Sequence, residues 1–196
     1  MYKNFIVCAA LLCTLTQYAS DVTSWFEIKP SYFLFSESPM NEIYNHGGFE
    51  LQGSASVPFC DWLDFYASLG YRQAWGHALN SDESTNLIVL PVDIGVKAIF
   101  NFDERFNYFV AIGPRVFYFH QKNDSLYVDS IMSGAGLGLF VNTGFDILLR
   151  DHFLFGVFCE YSYENKTISS DRSNVFSNSN VQMGGFVFGL SLGYAL

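Results

Sequence analysis

Residues 88–100 read Ile-Val-Leu-Pro-Val-Asp-Ile-Gly-Val-Lys-Ala-Ile-Phe. Ile88, Leu90, Val92, Ile94, Val96, Ala98 and Phe100 share one parity, and Asp93, Gly95 and Lys97 share the other. Successive side chains of a β-strand point to opposite faces. The stretch therefore predicts a strand with one wholly apolar wall and a second wall that holds every charge. Seven more stretches, 25–34, 48–57, 63–75, 108–118, 134–145, 153–162 and 186–196, obey the same rule. Their uncharged walls carry residues such as Phe26, Ile28, Leu51, Leu69, Ile112, Leu139, Val157 and Phe188, whereas Glu27, Lys29, Glu50, Asp64, Arg72, Arg115 and Glu160 all fall on the opposite parity.

Period two establishes two faces but not which is inside. A soluble eight-stranded barrel turns its apolar face inward and solvates the other. Here the second face is mostly Gly, Ser, Ala and Tyr with one or two charges per strand, too small and too lightly charged for a solvated exterior. It suits a narrow interior, so the apolar wall is expected to face lipid.

The 196 residues are half hydrophobic, 18% aromatic and only 15% charged, an unusual balance for a soluble surface. No run of about 18 apolar residues follows the N-terminus, which excludes a transmembrane helix. A membrane-resident chain without one must close into a barrel, because only closure satisfies every backbone polar group in hydrocarbon. Residues 1–20 read as a signal peptide, with Lys3 as its positive end, Phe5 to Leu15 as its apolar region and a cut near Ala19 to Asp21. A lipoprotein-type cut at Cys8 or Cys13 is weaker, since bulky Val7 and Leu12 precede those cysteines. Residues 21–196 then form one domain. The net charge of −9 disfavours nucleic acid as a partner, because phosphate contacts need Lys and Arg. Cys60 and Cys159 are expected too far apart to bridge.

Connections alternate short and long, the asymmetry of a barrel with one end toward the periplasm and one outside. Stretches 58–62, 102–107 and 146–152 are the short turns, and 37–46, 76–86, 120–130 and 164–180 are the longer polar loops. With both termini at the short-turn end the strand number must be even, and an all-β, eight-stranded, antiparallel up-and-down transmembrane barrel satisfies this. Pro30, Pro91 and Pro114 interrupt predicted strands; bulges are expected at Pro30 and Pro114. Trp75, Tyr71, Tyr118 and Tyr161 at one end, and Phe26, Phe100, Tyr108 and Tyr194 at the other, fit interfacial girdles.

Leu90 to Lys97 followed by Tyr108 to Gly113 resembles the paired strands of the small OmpX/OmpW-type outer-membrane barrel families. Phe188, Leu190, Leu192 and Tyr194, leading to the terminal Leu196, resemble the signal read by the barrel-assembly machinery, although the family pattern prefers Phe at the last position. The resemblance implies a bacterial outer-membrane location, with membrane lipid and the assembly machinery as partners. An OmpW-like role would be a passage for small apolar molecules, for which Phe33, Phe35, Phe109, Phe117 and Phe119 on the inner face are the relevant residues.

Enclosed charges must be paired or they cost several kcal/mol. Turn counting predicts a cluster of Arg72, Asp93 and Arg115, with Lys97 near Asp64 and Lys29 near Glu50; Glu27 and Glu160 complete the interior set. An eight-stranded interior is only wide enough for side chains to fill it, so the network is expected to plug the lumen and not to line a pore. Gly134, Gly136 and Gly138 share one strand face and make room for Arg115, Phe117 or Phe140; a phosphate cradle needs a strand-to-helix turn instead. His46, His77 and His120 fall at the long-loop end and are weak metal candidates. No cofactor is expected. A lipid-modifying enzyme would need a supported Ser–His–carboxylate set, and His77 with loop residues Ser81 and Asp82 is a poor one. The reading is a non-enzymatic barrel whose wall anchors it and whose outer loops act as contact surface, antigen or adhesin.

Overall fold

The computed structural model describes residues 24–44, 47–77, 83–123, 131–150, 152–168 and 179–195. The proposed signal segment, His46, Ser81, Asp82 and Leu196 lie outside them. Alternating apolar and polar residues form β1 (Trp25–Phe35), β2 (Gly48–Cys60), β3 (Leu63–His77), β4 (Ser84–Asp103), β5 (Phe106–Asn123), β6 (Ile131–Arg150), β7 (Phe153–Ile168), β8 (Ser179–Gln182) and β9 (Gly185–Ala195). Each strand pairs antiparallel with its sequence neighbour from β1 to β7, and β9 closes the ring by pairing with both β7 and β1.

β8 and β9 make one wall strand. Asn165 opposite Gln182 and Phe153 opposite Tyr194 belong to a single register on β7, and the Met183 amide bridges the interruption by donating to the Glu164 carbonyl at 2.8 Å. The ring is therefore eight strands around. Trp25 faces Ser56, Ser56 faces Tyr66 and Tyr66 faces Gly95. The same registers carry the row through Gly113, Phe140 and Ser162 to Gly185, which faces Phe35. One circuit thus climbs from Trp25 to Phe35, the stagger that tilts the strands and sets the lumen width.

Parity survives in every strand. Leu69, Ile94, Leu137 and Leu192 are among the many exposed apolar side chains, while Glu27, Glu50, Asp93, Arg115 and Glu160 are buried. The strands run longer than the sequence suggests, chiefly β4 to β7, so the turns shrink to residues 61–62 and 104–105, and β6 and β7 are separated by only two residues. Register shifts occur at Pro58/Cys60, Asn101/Asp103 and Leu148/Arg150, each just before one of those turns. The bulges expected at Pro30 and Pro114 are absent. Each of Pro30, Pro91 and Pro114 instead lies where one neighbouring ladder skips two pairs and resumes in the same register. The ladder gives up contacts there without slipping, which keeps every side chain on its proper face.

The stretch expected as the first polar loop contains a helix, α1 (Ser38–Ile43), with a proline in its first turn as helix starts favour. Met40 and Tyr44 are buried against Phe33, Phe35, Leu87, Val89, Phe117, Phe119, Met183 and Val187. The long-connection end of the lumen is thereby filled by an apolar plug.

Candidate functional site

The lumen between this plug and the short-turn end holds the charges. At its centre the Arg115 guanidinium reaches three carboxylates: Asp93 through Nε at 2.6 Å and Nη2 at 2.7 Å, Glu160 at 2.6 Å and Glu164 at 3.0 Å. Asp93 lies directly opposite Arg115 on β4, so the pair follows from register. Ser68 donates to Asp93 at 2.6 Å, and Asn142 donates to Glu160 at 3.2 Å. Arg72 bonds Glu50 at 2.8 Å and Glu164 at 3.3 Å. Its guanidinium carbon lies 3.6 Å from the Phe33 ring centre, where the charged layer meets the apolar plug.

The Asp93–Arg115 contact was expected; the direct Arg72–Asp93 contact was not found. Glu164 joins the two arginines instead, accepting from both through one oxygen. By composition it falls in the outer loop 164–180, where Asn and Ser crowd. The alternation Tyr161, Ser162, Tyr163, Glu164 was the signal that the strand continues.

A second cluster lies toward the short turns. Lys97 pairs with Glu27 at 2.8 Å and Asp146 at 3.5 Å, and Lys29 pairs with Glu27 at 3.1 Å. The expected pairings Lys97–Asp64 and Lys29–Glu50 are corrected by this arrangement. Asp64 does face Lys97 across the ladder, but a four-carbon stem lets the ammonium cross the lumen to β1 and β6. Lys29 is ringed by Tyr66, Phe109 and Phe158 at 5.2–5.4 Å from their centres, a geometry in which ring quadrupoles supplement its one carboxylate. Asp146, placed in a turn from the sequence, is a buried member of β6.

Gly136 makes room for Phe117, since a Cβ there would run into that ring, and Gly138 lies against the β7 backbone at Tyr163. Outside the membrane-spanning part, burial raises the Tyr44 phenol above its usual range, opposed by its 3.5 Å bond to Thr85. His77 and His120 lie on the outward parity of β3 and β5, and no metal-holding group of three acidic, Cys or His residues occurs among the described residues. Cys60 and Cys159 are free thiols. Phe188, Leu190, Leu192 and Tyr194 all project from the outer wall of β9. The aromatics expected as girdles lie on the outward parity; Trp75, Tyr71, Tyr118, Tyr161, Phe26, Phe100 and Tyr194 are exposed, and Tyr108 packs between Phe100 and Phe145.

No protein-family model and no curated protein matches the sequence. Solved structures do match the fold. Neisserial surface protein A is 16% identical with a TM-score of 0.51, covering 90% of this chain and 97% of its own. The attachment invasion locus protein Ail of Yersinia pestis, in complex with the heparin analogue sucrose octasulfate, is 11% identical with a TM-score of 0.52, covering 89% and 97%. A major outer membrane protein from Thermus thermophilus is 15% identical with a TM-score of 0.53, covering 90% and 100%. Ring closure, an apolar exterior and an enclosed charge network, together with these likenesses, give the chain the fold of the small eight-stranded outer-membrane β-barrels.

Proposed function

We propose that the chain is a non-enzymatic protein of the bacterial outer membrane, in which the barrel is a plugged anchor and the long-connection end is the working surface, as contact region, antigen or adhesin. The observation that carries this reading is the filling of the lumen in two layers, paired charges below and packed Phe, Met and Tyr above. A wall that surrounds no passage is left with anchoring. Phe33, Phe35, Phe109, Phe117 and Phe119 are all buried in one packed cluster, which favours a plug over a passage for small apolar molecules.

Ail was solved with a polyanionic sugar, and its likeness supports a surface-contact role of that general kind. The polyanion itself transfers poorly. Across the outer stretches this sequence sets Glu37, Glu42, Asp82, Glu83, Asp124, Asp129 and Asp171 against Lys122, Lys166 and Arg172, a balance better suited to a basic or neutral partner. Membrane lipid surrounds the wall, and the assembly machinery reads β9. The signal segment 1–20 serves export.

An antibody against the 169–178 peptide, applied to intact cells, tests the proposal. It should label cells carrying the wild-type chain and fail on cells carrying a 169–178 deletion that still folds. Labelling only after the cells are permeabilised would overturn the assignment of that end to the surface. The deletion must begin after Glu164, which belongs to the lumen.

A further inference from the structure

Along β2 the inward-facing Glu50, Gln52 and Ser54 each carry a buried oxygen without a hydrogen-bond partner, Glu50 Oε1, Gln52 Oε1 and Ser54 Oγ, and the buried Ser56 hydroxyl has no neighbour to bond but the Asp64 carboxyl. Across the ladder, Tyr66 lies opposite Ser56 and Asp64 opposite Pro58, and Tyr66 Oη and Asp64 Oδ2 are unpartnered and buried as well. At the usual strand rise, residues 50 to 56 extend over roughly 20 Å. The strip runs from the level of Arg72 toward the short-turn end. Buried polar atoms nearly always have partners, so a row of them on adjacent strands calls for one.

The charges call for the same thing. Buried carboxyl groups face the lumen from β1 (Glu27), β2 (Glu50), β3 (Asp64), β4 (Asp93), β6 (Asp146) and β7 (Glu160, Glu164). Buried bases come from β1 (Lys29), β3 (Arg72), β4 (Lys97) and β5 (Arg115), with none among the described residues of β9: seven acids against four bases. Enclosed charge without a counter-charge is costly. Lys29 and Lys97 are already engaged with Glu27 and Asp146, so the excess falls on the remaining carboxyl groups.

We propose that the β2–β3 flank of the lumen is a cation-accepting strip that takes up monovalent positive charge from solvent when the barrel folds, as protons or as a hard ion such as sodium. The unpartnered atoms of the strip are oxygens, which suit a hard cation, and carboxyl and hydroxyl groups also hold protons. Lys29 Nζ opposite Gln52 and Arg72 Nη2 opposite Glu50, which likewise lack a hydrogen-bond partner, border its upper part and leave Ser54 to Ser56 as the segment with no base directly across either ladder. No group of three acidic, Cys or His residues that could hold a metal ion occurs among the described residues, and the three carboxylates that do converge, Asp93, Glu160 and Glu164, close on Arg115, which disfavours a multivalent metal. The apolar plug above makes the strip blind, so it stores charge and does not conduct it.

Urea unfolding of the full barrel in detergent supplies the test, with two arms. One lowers the pH from 8 to 5.5 in choline chloride; the other replaces choline by sodium at pH 8 and constant ionic strength. For each proton held only by the folded state, the unfolding constant should fall about tenfold per pH unit. A sodium ion bound only by the folded state should lower it in proportion to sodium concentration once the site is near saturation. A response in either arm identifies the source. Asp64→Asn should reduce the response in the arm that shows one. Ser54→Ala keeps every charge, leaves Ser56 beside Asp64, and should reduce a sodium response while sparing a proton response. Stability indifferent to both pH and sodium, or a full response surviving in both variants, would overturn the proposal.

Discussion

Arg115 is the single side chain on which the lumen depends most. It gathers Asp93, Glu160 and Glu164, and removing one partner of a buried ionic group costs about 3–5 kcal/mol because the other charges stay enclosed. Arg115→Met should therefore lower the unfolding free energy by about that amount, read from urea unfolding in detergent; a loss near that of an exposed ion pair would show that the cluster is hydrated and cheap to break. Gly136 offers a second test at the same scale. Gly136→Ala pushes a methyl into the Phe117 ring and should cost about 1–3 kcal/mol by overpacking. Phe117→Leu in the same chain should restore part of the loss, and strictly additive costs would mean that the two do not touch.

At the scale of elements, α1 and the interrupted final strand show what the sequence hid and why. Strand parity was legible because each charge had to avoid hydrocarbon, and that constraint acts residue by residue from Glu27 to Glu160. Element ends were not legible. Polar composition at 164–180 and 146–152 suggested loops, yet outside hydrocarbon a strand tolerates Asn, Ser and Asp on either face. Glu164 and Asp146 were lost to the network for that reason. Ion-pair choices were legible only where short side chains or guanidiniums meet directly across a ladder, as Asp93 and Arg115 do. Long lysine stems obey reach, not register. The helix was readable in principle, since Met40, Ile43 and Tyr44 have helical spacing, but it is too short to announce itself. Deleting α1 should leave planar bilayers without steady current, because the paired charges still close the lumen beneath it. A stable open channel in that deletion would mean that the apolar plug alone seals the barrel.

At the scale of the whole molecule, closure of the ring predicts that the folded barrel resists detergent at room temperature and migrates differently on a gel before and after boiling. A single band indifferent to heating would contradict a fully hydrogen-bonded wall. Its central physical feature is orientation: apolar side chains outside in hydrocarbon, charges inside. Spin labels placed one at a time along β6 from Ala135 to Thr143 measure this most directly, through collision with oxygen, which concentrates in lipid, and with a water-soluble nickel complex. High oxygen accessibility and low nickel accessibility are expected at Ala135, Leu137, Leu139 and Val141, and low values of both at Phe140 and Asn142. Nickel contact at Leu137 and Leu139, without an oxygen maximum at the same positions, would contradict it.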